Sequence, residues 1–148
     1  MYFRTCGLLL CSMGIAILVT GCGGASDAPQ LAAVNGVVLL DGQPLKKGSV
    51  QFTPDSSKGT TGRMALGEIK PDGKFVLGTT VPGDGARVGF HKVAVNCFDS
   101  TPFNPNNPAQ STTKWLIPEK YGDDRTSGLT AEVKTGNKNT FTFSLTTK

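Results

Sequence analysis

Apolar side chains alternate with polar ones, with a period of two, along much of the chain after residue 30. Phe141, Phe143 and Leu145 share one face of their segment, and Val93 and Val95 share one face of another. Gly and Pro recur so often here that only two segments free of both reach twelve residues, 90–101 and 137–148. A helix with its own apolar face usually needs about ten to twelve residues. Because both segments alternate instead, the pattern predicts an all-β domain.

Seven segments combine this alternation with flanking turn residues, as β-strands do. They are residues 33–40, 49–53, 64–69, 74–79, 90–98, 129–134 and 140–146. Asp41-Gly42 marks a turn after the first segment. Pro71-Asp72-Gly73 joins the third and fourth segments in a predicted hairpin whose second arm buries Phe75 and Leu77. Seven short strands between turns favour an antiparallel β-sandwich, with closure into a barrel as the alternative.

The first 22 residues follow a different pattern. Arg4 precedes an apolar run over residues 6–19, which is about the length of a signal-peptide core and short for a bilayer span. The run ends at Val19-Thr20-Gly21-Cys22, which resembles the lipobox of bacterial lipoproteins. That resemblance implies that residues 1–21 are a signal peptide and that Cys22 becomes a lipid-modified N-terminus. An uncleaved anchor helix is the alternative.

A polar, glycine-rich segment follows the cysteine. We assign residues 22–32 to a flexible tether and residues 33–148 to the domain. The part over 22–30 would reach about 15–20 Å on average, so we expect the domain to lie close to its membrane. Gly23 is not the aspartate associated with inner-membrane retention in some bacteria, which favours the outer membrane.

Cysteine content and charge narrow the possible classes further. Once the leader is removed, Cys97 is the one cysteine left besides Cys22, so we predict no internal disulfide. The formal net charge of +4 falls to +3 without Arg4, and Lys46-Lys47 is the only adjacent basic pair. The sequence has no basic stripe for nucleic acid, and export argues against that partner as well.

Several short motifs follow one another as they do in carboxypeptidase-regulatory-like domains. They are Val-x-Gly-x-Val-x-Leu-Asp-Gly over 34–42, Asp-Gly-Lys-Phe-x-Leu over 72–77 and Gly-x-His-Lys-Val-x-Val over 89–95. The stretches 117–121 and 126–133 resemble small lipoproteins of planctomycete bacteria. The resemblance implies a transthyretin-like (prealbumin-like) β-sandwich without catalytic activity. Many of the similar domains have a tyrosine in place of His91, which predicts a structural role for this residue.

His91 is the only histidine, and it lies six residues from Cys97 on one predicted strand. Six steps separate their Cα atoms by about 20 Å, whereas a nucleophile and its base need about 3 Å. We therefore predict that both are structural and that the chain is not an enzyme. The chain also lacks the several histidines and the Tyr-Arg-Gly-Ser ending of hydroxyisourate hydrolase, an enzyme with this fold. One histidine and one cysteine are too few for zinc, and we expect no cofactor.

The longest predicted loop, residues 99–113, is rich in Pro, Asn, Ser and Thr and leads to Trp115. Long loops are often functional. Phe103 and Trp115 could stack on a sugar ring while Asn104 and Asn106 form hydrogen bonds with it. A tryptophan packed against the sandwich is the alternative.

Calcium is the other ligand that the composition leaves open. Asp84, Asp123 and Asp124 lie in glycine-flanked loops, but their spacing repeats no known calcium loop. Solvated turn carboxylates fit the same residues, so we assign no metal site.

Together these features predict a non-enzymatic, lipid-anchored envelope protein whose β-sandwich is a structural or interaction module. Its partners would be the membrane, through Cys22, and an unidentified protein or polysaccharide. The alternative is a lipoprotein that binds carbohydrate or a divalent ion through the 99–113 loop.

Overall fold

The computed structural model describes residues 30–100, 112–136 and 138–148. About half of this part of the chain lies in β-strands and almost none in helix, which agrees with the all-β prediction. It contains two short 3-10 helices, Ser56–Lys58 and Glu119–Gly122. The predicted signal peptide, the lipidation site Cys22 and most of the predicted tether lie outside the described residues.

Twelve strands are present in the described residues. They are β1 (Leu31–Ala32), β2 (Val34–Leu40), β3 (Gln43–Pro44), β4 (Ser49–Pro54), β5 (Ala65–Glu68), β6 (Lys74–Val76), β7 (Ala86–Arg87), β8 (Gly89–Asn96), β9 (Phe98–Ser100), β10 (Thr113–Trp115), β11 (Leu129–Val133) and β12 (Asn139–Leu145). Each of the seven predicted strands matches an observed strand to within a few residues, although β6 covers only the first three residues of the segment predicted over 74–79.

Two larger sheets form the body of the domain. One has the order β11-β8-β4-β5, and in the other β2 lies between β12 and the pair β3 and β6. The hairpin from β2 to β3 turns at Asp41-Gly42, as predicted, because both residues take positive φ (48° and 82°), which suits a two-residue hairpin turn. Two small sheets, β1-β7 and β9-β10, lie outside the body.

One strand pair departs from the predicted antiparallel arrangement. β12 pairs with β2 in parallel over seven residues, from Asn139 beside Val34 to Leu145 beside Leu40. Alternation shows which side chains are buried but not which strand is the neighbour or how it runs. The chain is therefore an all-β, sandwich-like domain of mostly antiparallel strands with one parallel pair.

The predicted hairpin at residues 64–79 turns at Asp72-Gly73, but its arms belong to different sheets. β5 pairs with β4, and β6 pairs with β2. The arms keep a hairpin register at two points, where Lys70 N–H donates to Lys74 O (2.9 Å) and Leu66 N–H donates to Gly78 O (2.9 Å). This corner joins the edges of the two sheets.

Two further boundaries differ from the prediction. Leu31 and Ala32, which we assigned to the tether, form β1 and pair with Arg87 and Ala86. The strand predicted over 90–98 is interrupted at Cys97, so that Phe98 begins a separate strand, β9. Strands of two or three residues are too short to show a period in sequence.

The inner faces of the two sheets meet around Phe52. Its ring lies 6.5 Å from the ring of Phe75, 5.7 Å from Phe141 and 5.9 Å from Phe143, measured between centroids. A Cβ at Gly36 would lie 2.2 Å from the Phe141 carbonyl oxygen and 2.7 Å from the Phe75 ring. This glycine therefore allows the rings to approach β2 closely. Alternation places Val34, Val38, Val50, Phe52, Phe75, Leu77, Val93, Val95, Phe143 and Leu145 on inner faces, and all ten are buried. Leu40 and Phe141 share two of these faces and are half-buried.

Candidate functional site

An aromatic hairpin projects from one end of the sandwich. It consists of β9 and β10, which pair Ser100 with Thr113, Asp99 with Lys114 and Phe98 with Trp115. The hairpin begins where β8 ends, and Leu116 N–H donates to Cys97 O (2.9 Å) at its base. Its two strands therefore hold both ends of the 99–113 loop to the sandwich.

Trp115 is half-buried and lies between the core and the hairpin surface. Its ring meets the ring of Phe98 edge to face, at 5.5 Å between centroids and 68° between planes. On its other side it covers Gly122, where an added Cβ would lie 2.4 Å from the indole. Trp115 is thus partly packed against the sandwich, as the alternative interpretation expected. Its exposed part forms one aromatic surface with Phe98, which is 45% exposed.

An ion pair fixes the hairpin to the neighbouring loop. Lys47 Nζ donates to Asp99 Oδ1, and this hydrogen bond raises the pKa of Lys47. Both side chains are more than half exposed, so the pair contributes little to stability. Lys47 also lines a shallow cavity of about 330 Å³ with Leu40, Leu45 and Leu116, which places apolar surface and a cation beside the aromatic hairpin.

The residues predicted for ligand binding have different outcomes. Trp115 lies at the proposed place, at the foot of the loop. Phe103, Asn104 and Asn106 lie outside the described residues. Phe98 was missed as a site residue, although the sequence pattern could have indicated its exposure. In the segment over 90–98 the odd-numbered residues are buried, and Phe98, like Phe90, has an even number and is exposed.

His91 is buried in the core, 1% exposed. Its ring lies 5.7 Å from the ring of Phe52, and Nδ1 lies 3.1 Å from Gly89 O. Nε2 is buried without a hydrogen-bond partner among the described atoms. Burial lowers the pKa of His91, because an imidazolium would lose its hydration there. The side chain therefore lies in the core, where a structural residue is expected.

Cys97 is equally buried, 1% exposed, and unpaired. Burial raises the pKa of its thiol, which disfavours the reactive thiolate. His91 lies opposite Pro54 on β4, whereas Cys97 comes after Asn96, which lies opposite Ser49 at the other end of the same pairing. The two side chains therefore do not form a reactive pair.

Two of the three carboxylates considered for calcium, Asp84 and Asp123, have other partners. Asp84 accepts the backbone N–H groups of Thr79, Thr80 and Val81 at 2.5, 2.9 and 3.1 Å, which lowers the pKa of Asp84. Asp123 binds the Arg125 guanidinium through both oxygens, at 3.0 and 2.6 Å, and this lowers the pKa of Asp123. Within the described residues no group of three or more His, Cys, Asp or Glu side chains could hold a metal ion.

Comparison with known proteins gives no assignment. No family model matches the chain, no curated protein matches it, and no solved structure matches it. In the described ranges there is no helix with the length and apolar character needed to cross a bilayer.

Proposed function

We propose that this chain is an exported lipoprotein, acylated at Cys22 and held at a membrane of the cell envelope, with the outer membrane favoured by Gly23. The β-sandwich would present the aromatic hairpin to a protein or polysaccharide partner, without catalysis. The lipobox residues Val19 to Cys22 and the sandwich-like all-β domain support this function. We further propose that the sandwich is of the transthyretin-like kind found in carboxypeptidase-regulatory-like domains.

The main observation in favour of this proposal is a distance: the residue at which the chain enters the domain lies far from the aromatic hairpin. Gln30 O accepts the N–H of Val88, just before β8 begins at Gly89. Phe98 comes just after β8 ends at Asn96. Seven steps along a strand span about 23 Å. The hairpin therefore lies at the opposite end of β8 from the point where the segment with the proposed anchor enters the domain.

The chemistry of the hairpin suits an interface. A half-exposed phenylalanine beside a tryptophan, with Lys47, Asp99 and Lys114 around them, combines an apolar anchor with a polar rim. Aromatic residues are enriched at the centre of protein interfaces, and the rim is polar. His91 and Cys97, the only candidates for a catalytic pair, are both buried in the core.

The anchor is tested by mass spectrometry of the protein extracted from membranes of its native cells. We expect an N-terminus at Cys22 with a diacylglyceryl group on its sulfur. Recovery of the intact leader with an unmodified thiol would overturn the anchored function.

The interface is tested by affinity capture of the acylated protein from its native envelope, in the wild type and in Phe98→Ala. We expect Phe98→Ala to lose the captured partner. Phe90→Ala is the matched control, because Phe90 is 38% exposed at the opposite end of β8 and should leave capture unchanged. Equal capture by both variants would show that the hairpin is not the interface.

Carbohydrate binding is the second candidate, favoured by the open surface shared by Trp115 and Phe98. Aromatic faces stack on sugar rings, and Trp115 is the only tryptophan, so its fluorescence reports binding directly. Sugar analysis of the captured material, together with a change in Trp115 emission on adding the released polysaccharide, would assign this function. The divalent-ion alternative has no comparable support in the described residues.

A further inference from the structure

Large apolar side chains are exposed together near the corner where β5 and β6 meet. Met64 is 48% exposed, Leu66 51%, Val76 52% and Val81 57%. Leu66, Val76 and Val81 line one open groove of about 550 Å³. Met64 has the outward parity of Leu66, because Ala65 and Gly67 between and beyond them are buried. Clustered apolar exposure of this kind usually marks an interaction surface.

This groove is continuous with the place where the chain enters the domain. Leu31, the first residue of β1, lines a cavity of about 250 Å³ with Arg63, Arg87, Thr79 and Thr80. Thr79 and Thr80 also line the groove. A Cβ at Gly85 would lie 2.0 Å from Ala32 O, so the loop that carries Val81 packs directly on β1. We call Met64, Leu66, Val76, Val81, Arg63, Arg87 and Lys70 the tether-side patch.

The charge of the tether-side patch is mainly positive. Arg63 and Arg87 flank Leu31, and Lys70 lines the groove. Glu68 lines the groove as well, and the Asp84 carboxylate in the adjoining loop is occupied by three backbone N–H groups. Lys74 and Asp72 nearby form an ion pair with each other. Basic side chains beside apolar ones are the composition that binds an anionic lipid surface.

We propose that the tether-side patch lies on the bilayer that holds the lipid anchor. Its apolar side chains would enter the boundary between headgroups and acyl chains, while Arg63 and Arg87 bind lipid phosphates. This inference rests on the proposed acylation of Cys22. Eight residues separate Cys22 from Leu31, and the average reach of about 15–20 Å expected for the predicted tether would bring the patch to the membrane surface.

Docking on the bilayer would give the domain a fixed orientation. A tethered domain without such a contact would rotate freely about its linker. With the tether-side patch on the lipid, the aromatic hairpin at the other end of β8 faces away from the membrane at all times. The lipid anchor and the docked patch would therefore together keep the proposed interface accessible to a partner.

The test uses the full acylated protein, purified from membranes and reconstituted in vesicles of phosphatidylglycerol and phosphatidylcholine. A polarity-sensitive fluorophore is attached to Val81→Cys in the patch or, as the control, to Ser144→Cys, an exposed residue opposite Leu39 on β2. Cys97 is buried, so it does not compete for the label. We expect a blue-shifted emission and several-fold stronger quenching by nitroxide lipids at position 81 only.

Removal of charge gives an independent arm of the same experiment. The double substitution Arg63→Gln and Arg87→Gln should weaken binding of the patch to the lipid surface roughly fivefold for each charge removed. Added salt should also weaken this binding, because it screens the charges. Lys46→Gln with Lys120→Gln removes two exposed charges outside the tether-side patch and should leave docking unchanged.

The outcomes separate the two proposals. Acylated protein whose labels at 81 and 144 are equally accessible to water would overturn the docking and leave the anchored function standing. Unmodified Cys22 would overturn both. Shielding of position 81 that persists in detergent and depends on protein concentration would instead assign the patch to a second copy of the chain.

Discussion

His91 is a titratable group placed where only its neutral form fits. Its ring packs against the ring of Phe52, Nδ1 donates to Gly89 O, and Nε2 has no partner among the described atoms. Burying a polar atom without a hydrogen bond costs roughly 1–3 kcal/mol. A protonated Nε2 in the same place would cost more, which is the reason that burial lowers the pKa of His91.

This position predicts acid sensitivity of the fold. Above the unfolded pKa of about 6.5, His91 is neutral in both states and pH has no effect through it. As the pH falls below 6.5, the unfolded chain binds more protons at this residue than the folded chain, whose histidine has the lower pKa. The free energy of unfolding should then decrease, by at most about 1.4 kcal/mol per pH unit. Urea unfolding at pH 7.5 and pH 5.5 measures this loss.

His91→Phe is the matched variant, because it keeps a ring against Phe52 and removes the titratable nitrogen. No other histidine is present, so the variant should have nearly the same stability at both pH values. At pH 7.5 it should differ from the wild type by about 1 kcal/mol or less, since one hydrogen bond is lost and one unpaired atom is removed. An unchanged pH dependence in this variant would contradict the assignment.

The elements of the fold meet at two junctions between the sheets. One is the β5–β6 corner, and the other is Asn139 at the start of β12. The buried Asn139 side chain accepts Lys134 N–H at 2.8 Å and donates to Lys134 O and Ala33 O at 3.0 and 3.2 Å. It therefore ties the end of β11 to the starts of β12 and β2.

Asn139→Ala should destabilise the domain by about 1–3 kcal/mol, because it leaves backbone groups of Lys134 and Ala33 without these partners. Equilibrium urea unfolding provides the measurement. Thr142→Ala is the control: Thr142 is exposed on the same strand, and the change should cost about 0.5 kcal/mol or less. Equal effects of the two substitutions would mean that Asn139 does not join the elements.

Alternation predicted the longer elements and their buried faces, because a period of two depends only on which side chains leave water. Val50 and Phe52 in β4 are examples. It could not predict partners, since every strand offers the same backbone hydrogen-bonding groups. The parallel pairing of β12 with β2 and the division of the 64–79 hairpin between two sheets were missed for this reason.

The candidate site was predicted only in part. Trp115 was identified from its position after a long polar loop. Its edge-to-face contact with Phe98 was not, because that contact requires the chain to stop pairing at Cys97 and begin a new strand one residue later. A three-residue strand carries no periodic signal, so the hairpin is visible only in three dimensions.

At the scale of the whole molecule, no disulfide contributes to stability in the described part of the chain. Its one cysteine, Cys97, is unpaired and buried. We expect the same thermal midpoint for the mature protein with and without a thiol reductant. A structural disulfide in a small domain contributes about 2–5 kcal/mol. A clear fall in the midpoint on reduction would therefore contradict this prediction.

The pairing of β2 with β12 also means that one strand is synthesised well before its partner. Asn35 and Thr140 are hydrogen-bonded neighbours although 105 residues of sequence separate them. A ribosome adds roughly 5–20 residues per second, so the central strand is made roughly 5–20 s before the strand that completes it. Throughout that interval, the edge of β2 that pairs with β12 has no strand to bind its backbone N–H and C=O groups, and such an open edge favours pairing with other chains. The newborn polypeptide thus depends on whatever receives it from the ribosome to keep that edge from aggregating.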